Sequence, residues 1–259
     1  MTHKLKNIYK IDGKTIVTAH RGFSGKYPEN TLLAFEQALE TGVDIIEFDV
    51  RGSLDNVPII LHDNTLDRTT DGVGRPEEMT LEELKKLNAS FWDGPHDTGR
   101  RLEKPKTSNA EIPSLEEALA LLAGKCFLNI QVYTQSATVS ERICSLYDKY
   151  CLYERAFLMI STFEEAAQYK RINSEIEICV GEDRGNLERH KEFGSVFIQP
   201  SKNLATPEFC KEIKQKGLCA NMFYANTAED CKKYLKCGIK GIMTDNPDII
   251  LDAIKSFQQ

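Results

Sequence analysis

The sequence predicts a (β/α)8 TIM barrel, and three observations carry that expectation. Short apolar runs alternate with helical patterns almost from end to end, the mark of parallel βα units. The 259 residues suit one large barrel domain, spanning 1–259, better than two small ones. Nine apolar runs are present, and the one in excess of a barrel has a definite place to go.

In chain order, the first run is Thr15–Ala19, β-branched over most of its length and ending at His20. Arg21 and Gly22 leave it, and the glycine allows backbone to come close to a ligand. Pro28-Glu29-Asn30-Thr31 opens a helix that runs to about Glu40, with Asn30 as N-cap and Thr31 as a structural residue. The second run, Ile45–Val50, alternates Glu47 and Asp49 with Ile46, Phe48 and Val50. The third, Pro58–Leu61, follows after only Arg51 to Val57, too few residues for a parallel crossover. Asp55-Asn56 supplies turn residues, so this run should return as an antiparallel hairpin arm, which leaves eight barrel strands. Folding about Asp55-Asn56 would pair Leu54 with Val57, Arg51 with Ile60 and Asp49 with His62. Directly opposed residues share a face, with Cα atoms roughly 4.5–5.5 Å apart, so Glu47, Asp49 and His62 would come together.

Residues 88–111 are irregular and contain the single tryptophan, Trp92. Such a stretch reads as a small insertion or lid loop, or equally as a solvated surface excursion. The remaining runs are Phe127–Val132, Ala156–Ile160, Glu175–Val180, Ser195–Gln199, Leu218–Met222 and Gly241–Met243. Alternation in the fourth barrel strand, of which Phe127–Val132 is the apolar part, puts Asn129, Gln131 and Tyr133 on its inner face.

Composition narrows the class. A hydrophobic content of 41% suits a chain with a substantial core, and the formal charge of −6 is spread rather than blocked. There is no basic stripe of the kind nucleic-acid binding needs. No apolar run is long enough to span a bilayer, so stable membrane insertion is not expected. Met1 to Lys14 is polar and shows no signal-peptide core. The eight cysteines lack zinc or redox spacing and sit largely within apolar patterns, which predicts reduced, mostly buried thiols. The expectation is a cytoplasmic protein; a secreted or periplasmic one whose leader had been removed would read the same.

Two histidines, two closely spaced carboxylates and an arginine at strand ends make a kit for metal-assisted phosphate chemistry. Histidines exchange protons near neutral pH. Carboxylates offer hard oxygen ligands to Mg²⁺ or Ca²⁺, and an arginine grips two phosphate oxygens at once. Glu47 and Asp49 would be expensive to bury unless paired, so they hold a metal or form a buried salt bridge with Arg21 or Arg51. Asp63 either orients an imidazole or caps the next turn. His3, His96 and His190 show no partner pattern and read as surface residues.

The series His20-Arg21-Gly22, Pro28-Glu29-Asn30-Thr31, Glu47-Phe48-Asp49 and His62-Asp63 resembles the glycerophosphodiester phosphodiesterase family. Ile112-Pro113-Ser114-Leu115-Glu116-Glu117 and Gly241-Ile242-Met243-Thr244-Asp245-Asn246-Pro247 match later landmarks of that family, so the likeness covers nearly the whole chain. The resemblance implies metal-dependent hydrolysis of glycerophosphodiesters to glycerol 3-phosphate and an alcohol. His20 and His62 would be the acid/base pair on opposite sides of the phosphorus, with neither assigned to acid or base. Glu47 and Asp49 would hold one divalent cation, Mg²⁺ or Ca²⁺. Arg21 would meet the phosphate charge, and Glu29 and Asn30 would brace the site, Glu29 on the substrate side. Asn64-Thr65-Leu66-Asp67-Arg68-Thr69-Thr70 resembles the segment after the family's second histidine and is read as loop structure.

The sequence departs from the family pattern at two inner-face positions. Gln131 stands where the family usually has a glutamate ligand, and Tyr133 where it has a lysine. Gln131 can still offer an amide oxygen to the cation, and Tyr133 would then belong to the substrate side. The expected tryptophan is also absent from Ala220-Asn221-Met222-Phe223. Two other functions stay open: a non-catalytic barrel that binds phosphodiesters or a partner, and attack on a choline or lysolipid phosphodiester, as in the distantly similar sphingomyelinase D-type barrels. A small-molecule substrate is expected in either enzymatic case, and the oligomeric state is left open.

Overall fold

Eight parallel strands alternate with helices in a nearly closed barrel, and a ninth strand hangs from it as a hairpin arm. The structure is a computed structural model that describes residues 4–92, 94 and 101–258. The strands are β1 (Ile16–Ala19), β2 (Ile45–Gly52), β3 (Pro58–Ile60), β4 (Phe127–Val132), β5 (Ala156–Ile160), β6 (Ile178–Val180), β7 (Phe197–Ile198), β8 (Cys219–Met222) and β9 (Gly241–Thr244). Their order is β6-β5-β4-β2-β1-β9-β8-β7, with β3 paired antiparallel to β2. All nine expected runs are strands, within a few residues at their ends.

The period of two along each strand sorts side chains into an outer and an inner set. Outward residues such as Val17, Phe48, Ile130 and Leu158 pack against Phe35, Leu119 and Ile143 of the surrounding helices, and together they form the main core. The inner set is layered. At the amino-terminal end Ile16, Ile45, Phe127, Phe157, Phe197 and Cys219 make an apolar plug, closed from below by Leu5, Ile8 and Tyr9. Above it lies a polar layer, with Thr18 donating to Asn221 at 3.1 Å, Asn129 to Gln199 at 3.1 Å, and Asn129 aligned with Glu47 across the β2–β4 ladder. The dry plug leaves only the carboxyl-terminal end of the barrel open to chemistry, as barrel enzymes require.

The hairpin forms as expected, but in a register one residue away. Val50 pairs with Ile60, Arg51 with Ile59 and Gly52 with Pro58. The turn holds three residues, Leu54-Asp55-Asn56, rather than two. Ser53 N–H donates to the Val57 carbonyl at 3.0 Å, and the Ser53 hydroxyl accepts from Val57 N–H at 2.9 Å. Asn56 takes φ 61, the left-handed position such a loop needs, which asparagine tolerates better than most residues. Asp49 therefore faces Leu61, whose N–H donates to its carbonyl at 3.0 Å. The pairing of Asp49 with His62 is corrected: His62 lies beyond the ladder, and alternation does not orient it.

The irregular insertion is larger than 88–111. It begins directly after β3 and runs to the helix Leu115–Leu122, enclosing a 3-10 turn at Pro76–Glu78 and the short helix Leu81–Leu84. Leu61, Leu66, Leu84, Ala89 and Ile112 close over Ile59 as a satellite core. Trp92 is buried, and the Lys106 ammonium sits 3.8 Å from its ring centre. His3 and His96 lie outside the described residues. Among the described residues no helix is long and apolar enough to cross a membrane. The eight cysteines carry free thiols, six of them buried.

Two local expectations change. The N-cap of the helix Leu32–Thr41 is Thr31, whose hydroxyl accepts from Ala34 N–H at 3.2 Å, and this releases Asn30 for another role. The reading of Gly22 gains a packing reason: at φ +78, a Cβ there would sit 2.8 Å from the Ala34 carbonyl carbon.

Candidate active site

The site is built from inward residues of β2 and β4 and from the segments that leave β1, β3, β4, β8 and β9. His20 follows β1 and is buried, its Nδ1 2.6 Å from Asp245 Oδ1, just past β9. Asp245 is fixed in turn by the Ser24 hydroxyl, which donates at 3.0 Å, and by the Asn226 amide. Burial alone would lower the basicity of His20, but the Asp245 charge and hydrogen bond outweigh it and raise the imidazole above its ordinary value. Burial would likewise raise Asp245, yet the pairing holds its carboxyl below the usual range. Phe223 meets the His20 ring edge-on at 5.4 Å between centres, and Tyr224 lies parallel to it at 6.3 Å.

Arg21 and Asn30 both adopt left-handed backbone, φ 55 and φ 58, uncommon for residues with side chains and concentrated here beside the carboxylates. Arg21 N–H donates to Glu47 Oε2 at 2.8 Å, its Nη1 to Glu29 Oε1 at 2.8 Å, and its Nε lies 3.2 Å from Asp49 Oδ2. The salt bridge with Arg21 is thus present at Asp49, and none with Arg51 is seen among the described residues. Asn30 clamps Asp49, donating from Nδ2 to Oδ2 at 2.8 Å and accepting from the Asp49 N–H at 3.2 Å.

Glu47 is fully buried, and its Oε1 has no hydrogen-bond partner among the described residues. Burial and the adjacent charge of Asp49 push its carboxyl up to about 7. Two carboxylates of like charge, one with an orphaned oxygen, are what a hard cation relieves, so these residues fit a divalent ion. No three His, Cys, Asp or Glu side chains converge on such a position among the described residues. The neighbouring inward residue is Gln131, aligned with Asp49 across the ladder. Its amide donates to the Tyr133 hydroxyl.

His62 completes the opposite wall. Its ring packs edge-on against Tyr133 at 5.4 Å, the Arg51 guanidinium lies 5.0 Å from the Tyr133 ring centre, and Arg51 Nε donates to the His62 carbonyl at 2.8 Å. Nδ1 of His62 is 2.7 Å from Asp63 Oδ1, so Asp63 orients the imidazole. Asp63 is also held by Arg68, from Nε to Oδ2 at 2.6 Å and from Nη2 to Oδ1 at 2.9 Å. Arg68 reaches Glu29 as well, from Nη1 to Oε2 at 3.0 Å and from Nη2 to Oε1 at 2.6 Å. Both oxygens of Glu29 are therefore engaged by guanidinium groups.

Asp245 and Arg68 were not singled out from sequence as site residues. Asp245 had a signal, since it stands at the carboxyl end of the last barrel strand, where barrel enzymes concentrate function. Arg68 had only its place in a loop segment. His190 is buried rather than on the surface, with Nε2 3.2 Å from the Asp183 carbonyl and its ring against Phe163, remote in sequence from every site residue.

The comparisons with known proteins agree with one another. A sequence model of the Glycerophosphoryl diester phosphodiesterase family matches residues 20–249. A glycerophosphodiester phosphodiesterase of Caldanaerobacter subterraneus subsp. tengcongensis is 30% identical over 93% of this chain and 98% of its own. A Silicibacter pomeroyi structure superposes with a TM-score of 0.85 at 23% identity over 95% of both chains. An Oleispira antarctica phosphodiesterase, solved with the product sn-glycerol-3-phosphate, superposes with a TM-score of 0.77 at 26% identity, over 93% of this chain and 96% of that one. By this agreement of sequence and fold over nearly its full length, the chain belongs to the glycerophosphoryl diester phosphodiesterase family.

Proposed function

We propose that this chain hydrolyses glycerophosphodiesters to glycerol 3-phosphate and an alcohol. The observation that carries the reading is the pair of carboxylate-oriented imidazoles, His20–Asp245 and His62–Asp63, at the open end of the barrel beside Arg21, Glu47 and Asp49. In this reading one histidine takes a proton from the attacking water as its oxygen bonds to phosphorus. The other gives a proton to the alcohol oxygen as the P–O bond breaks. Arg21, held in place by Glu29 and Asp49, meets the phosphate charge. Glu47, Asp49 and Gln131 would hold one divalent cation, Mg²⁺ or Ca²⁺, which when bound supplies Lewis-acid stabilisation of charge on the phosphate oxygens. Glu29, engaged by two arginines, acts as a brace for Arg21 rather than as a contact of its own. Tyr133 walls the site on the His62 side.

The test is release of glycerol 3-phosphate from glycerophosphocholine, with Mg²⁺, with Ca²⁺ and after chelation. Turnover should need one of the two ions and cease when it is removed. A second reading, a barrel that binds phosphodiesters without cleaving them, is favoured by one feature: the Gln131 amide is tied to Tyr133 where the family has a charged pair. Tight glycerophosphocholine binding with no product under either ion would decide for it.

The Gln131 position gives a metal prediction. Adding a carboxylate about 4 Å from a cation is worth roughly 4 kcal/mol per unit charge at an effective dielectric near 20, and about twice that for a divalent ion. Desolvating the new carboxylate takes back much of this. The expected net for Gln131→Glu is a metal affinity higher by roughly tenfold, about 1.4 kcal/mol, read by calorimetric titration. An unchanged affinity would remove Gln131 from the ligand set. Turnover need not rise, because Tyr133 still stands in the lysine position.

A further inference from the structure

We infer that Arg68 is a positioning residue that couples the orientation of His62 to that of Arg21; the inference rests on the phosphodiesterase reading and deepens it. Its Nη2 is the hub of a chain of hydrogen bonds. On one side Nη2 donates to Asp63 Oδ1, the same oxygen that faces His62 Nδ1. On the other it donates to Glu29 Oε1, the same oxygen that accepts from Arg21 Nη1. Nε and Nη1 complete a two-atom grip on each carboxylate. Beyond the hydrogen bonds, Arg21 is ion-paired to Asp49, its Nε 3.2 Å from Oδ2. Six charged or titratable side chains, five from two loops and Asp49 from β2, are thus linked through one rigid fork.

The need for such a device lies in the hairpin. His62 stands past the last β2–β3 ladder pair, with 21% of its side chain exposed, so strand alternation does not aim it. Asp63 is equally exposed, at 21%, and a carboxylate of that exposure does not orient an imidazole unless it is itself held. On the other wall, Ser24 and Asn226 hold Asp245 for His20. Among the described residues Arg68 is the cation that does this for Asp63, and it does so while buried. Because the fork also fixes Glu29, a shift at the His62 end is transmitted to the arginine that meets phosphate. Guanidinium geometry is essential here: a lysine ammonium presents one nitrogen and cannot grip two carboxylates bidentately.

The bland competitor is that Arg68 merely pins the insertion to the barrel. Arg68→Lys separates the two. Positioning predicts kcat lower by roughly tenfold to a hundredfold in a chain that still melts cooperatively. It also predicts that the downfield Nδ1–H proton resonance of His62, assigned by its absence in His62→Ala, shifts or broadens, while that of His20 stays. Millimolar guanidinium ion should restore part of the turnover of Arg68→Ala. A folded Arg68→Lys with wild-type kcat, or with an unmoved His62 resonance, would overturn the inference. If neither Arg68 variant folds, Glu29→Gln tests the same coupling from the far side. It leaves Arg68 and Asp63 in place and should still move the His62 resonance, and an unmoved resonance there also overturns the inference. The resonance needs no substrate or metal. A wild type inactive on glycerophosphodiesters that shows these shifts would therefore sink the phosphodiesterase reading and leave the coupling standing.

Discussion

His20→Ala and His62→Ala are each expected to lower turnover by on the order of 10²–10⁴-fold, the usual contribution of a general acid or base. Neither change should cost the fold. Removing His20 leaves Asp245 with the Ser24 hydroxyl and the Asn226 amide, so the buried carboxylate keeps donors. Removing His62 leaves Asp63 in the bidentate grip of Arg68. His62→Ala should therefore melt close to wild type. His20→Ala should lose only the part of the Tm that the Asp245 pairing supplies and still unfold cooperatively. Circular dichroism should be unchanged in both. Substrate binding should survive better than turnover, because Arg21 keeps its own contacts to Glu29, Glu47 and Asp49 when either imidazole is lost. The measurement is kcat and KM for glycerol 3-phosphate release under the better of the two ions. Near-normal kcat in either folded variant would exclude the two-histidine scheme.

The strand layout was legible because its signal is local. Each apolar run is bounded by turn residues, and only seven residues, 51–57, separate β2 from β3 at their expected bounds, too few for any crossover. The register of the hairpin was not legible in the same way. It depends on whether Asn56 joins the turn in left-handed backbone, a difference of one residue that composition does not encode. The consequence was confined, because His62 reaches the site through Tyr133, Arg51 and Arg68 rather than through its ladder position. Asn30 read as an N-cap from its position and as a brace of the site by resemblance, and the structure gives the cap to Thr31 and Asn30 to Asp49. Glu47, Asp49 and Gln131 were brought together by alternation and parallel register alone. Arg68 and Asp245 lie 39 residues beyond Glu29 and 225 beyond His20, and pairings at that range come from the tertiary fold, not from a motif.

The second large effect belongs to Asp245. Asp245→Asn should lower turnover by on the order of 10²-fold or more, since an amide in that place can offer a donor to His20 Nδ1 and favour the wrong tautomer. The pH dependence follows from the two shifts. His20 is raised above 6.5, so the stabilisation it draws from Asp245 is complete below about 6.5 and is lost as pH climbs through the raised value. Asp245 is held below 3.8, so its share is present above 3.8 and is lost as pH falls through the lowered value. The gap in Tm between wild type and Asp245→Asn should be widest between about 3.8 and 6.5 and narrow on either side. In the rate profile, the limb that belongs to His20 should move to lower pH, because the neutral amide no longer favours the imidazolium. If the alkaline limb moves, His20 is the proton donor; if the acid limb moves, it is the acceptor, and His62 takes the other role. A variant with wild-type turnover, or one whose limbs both stay in place, would show that Asp245 only fills space beside His20.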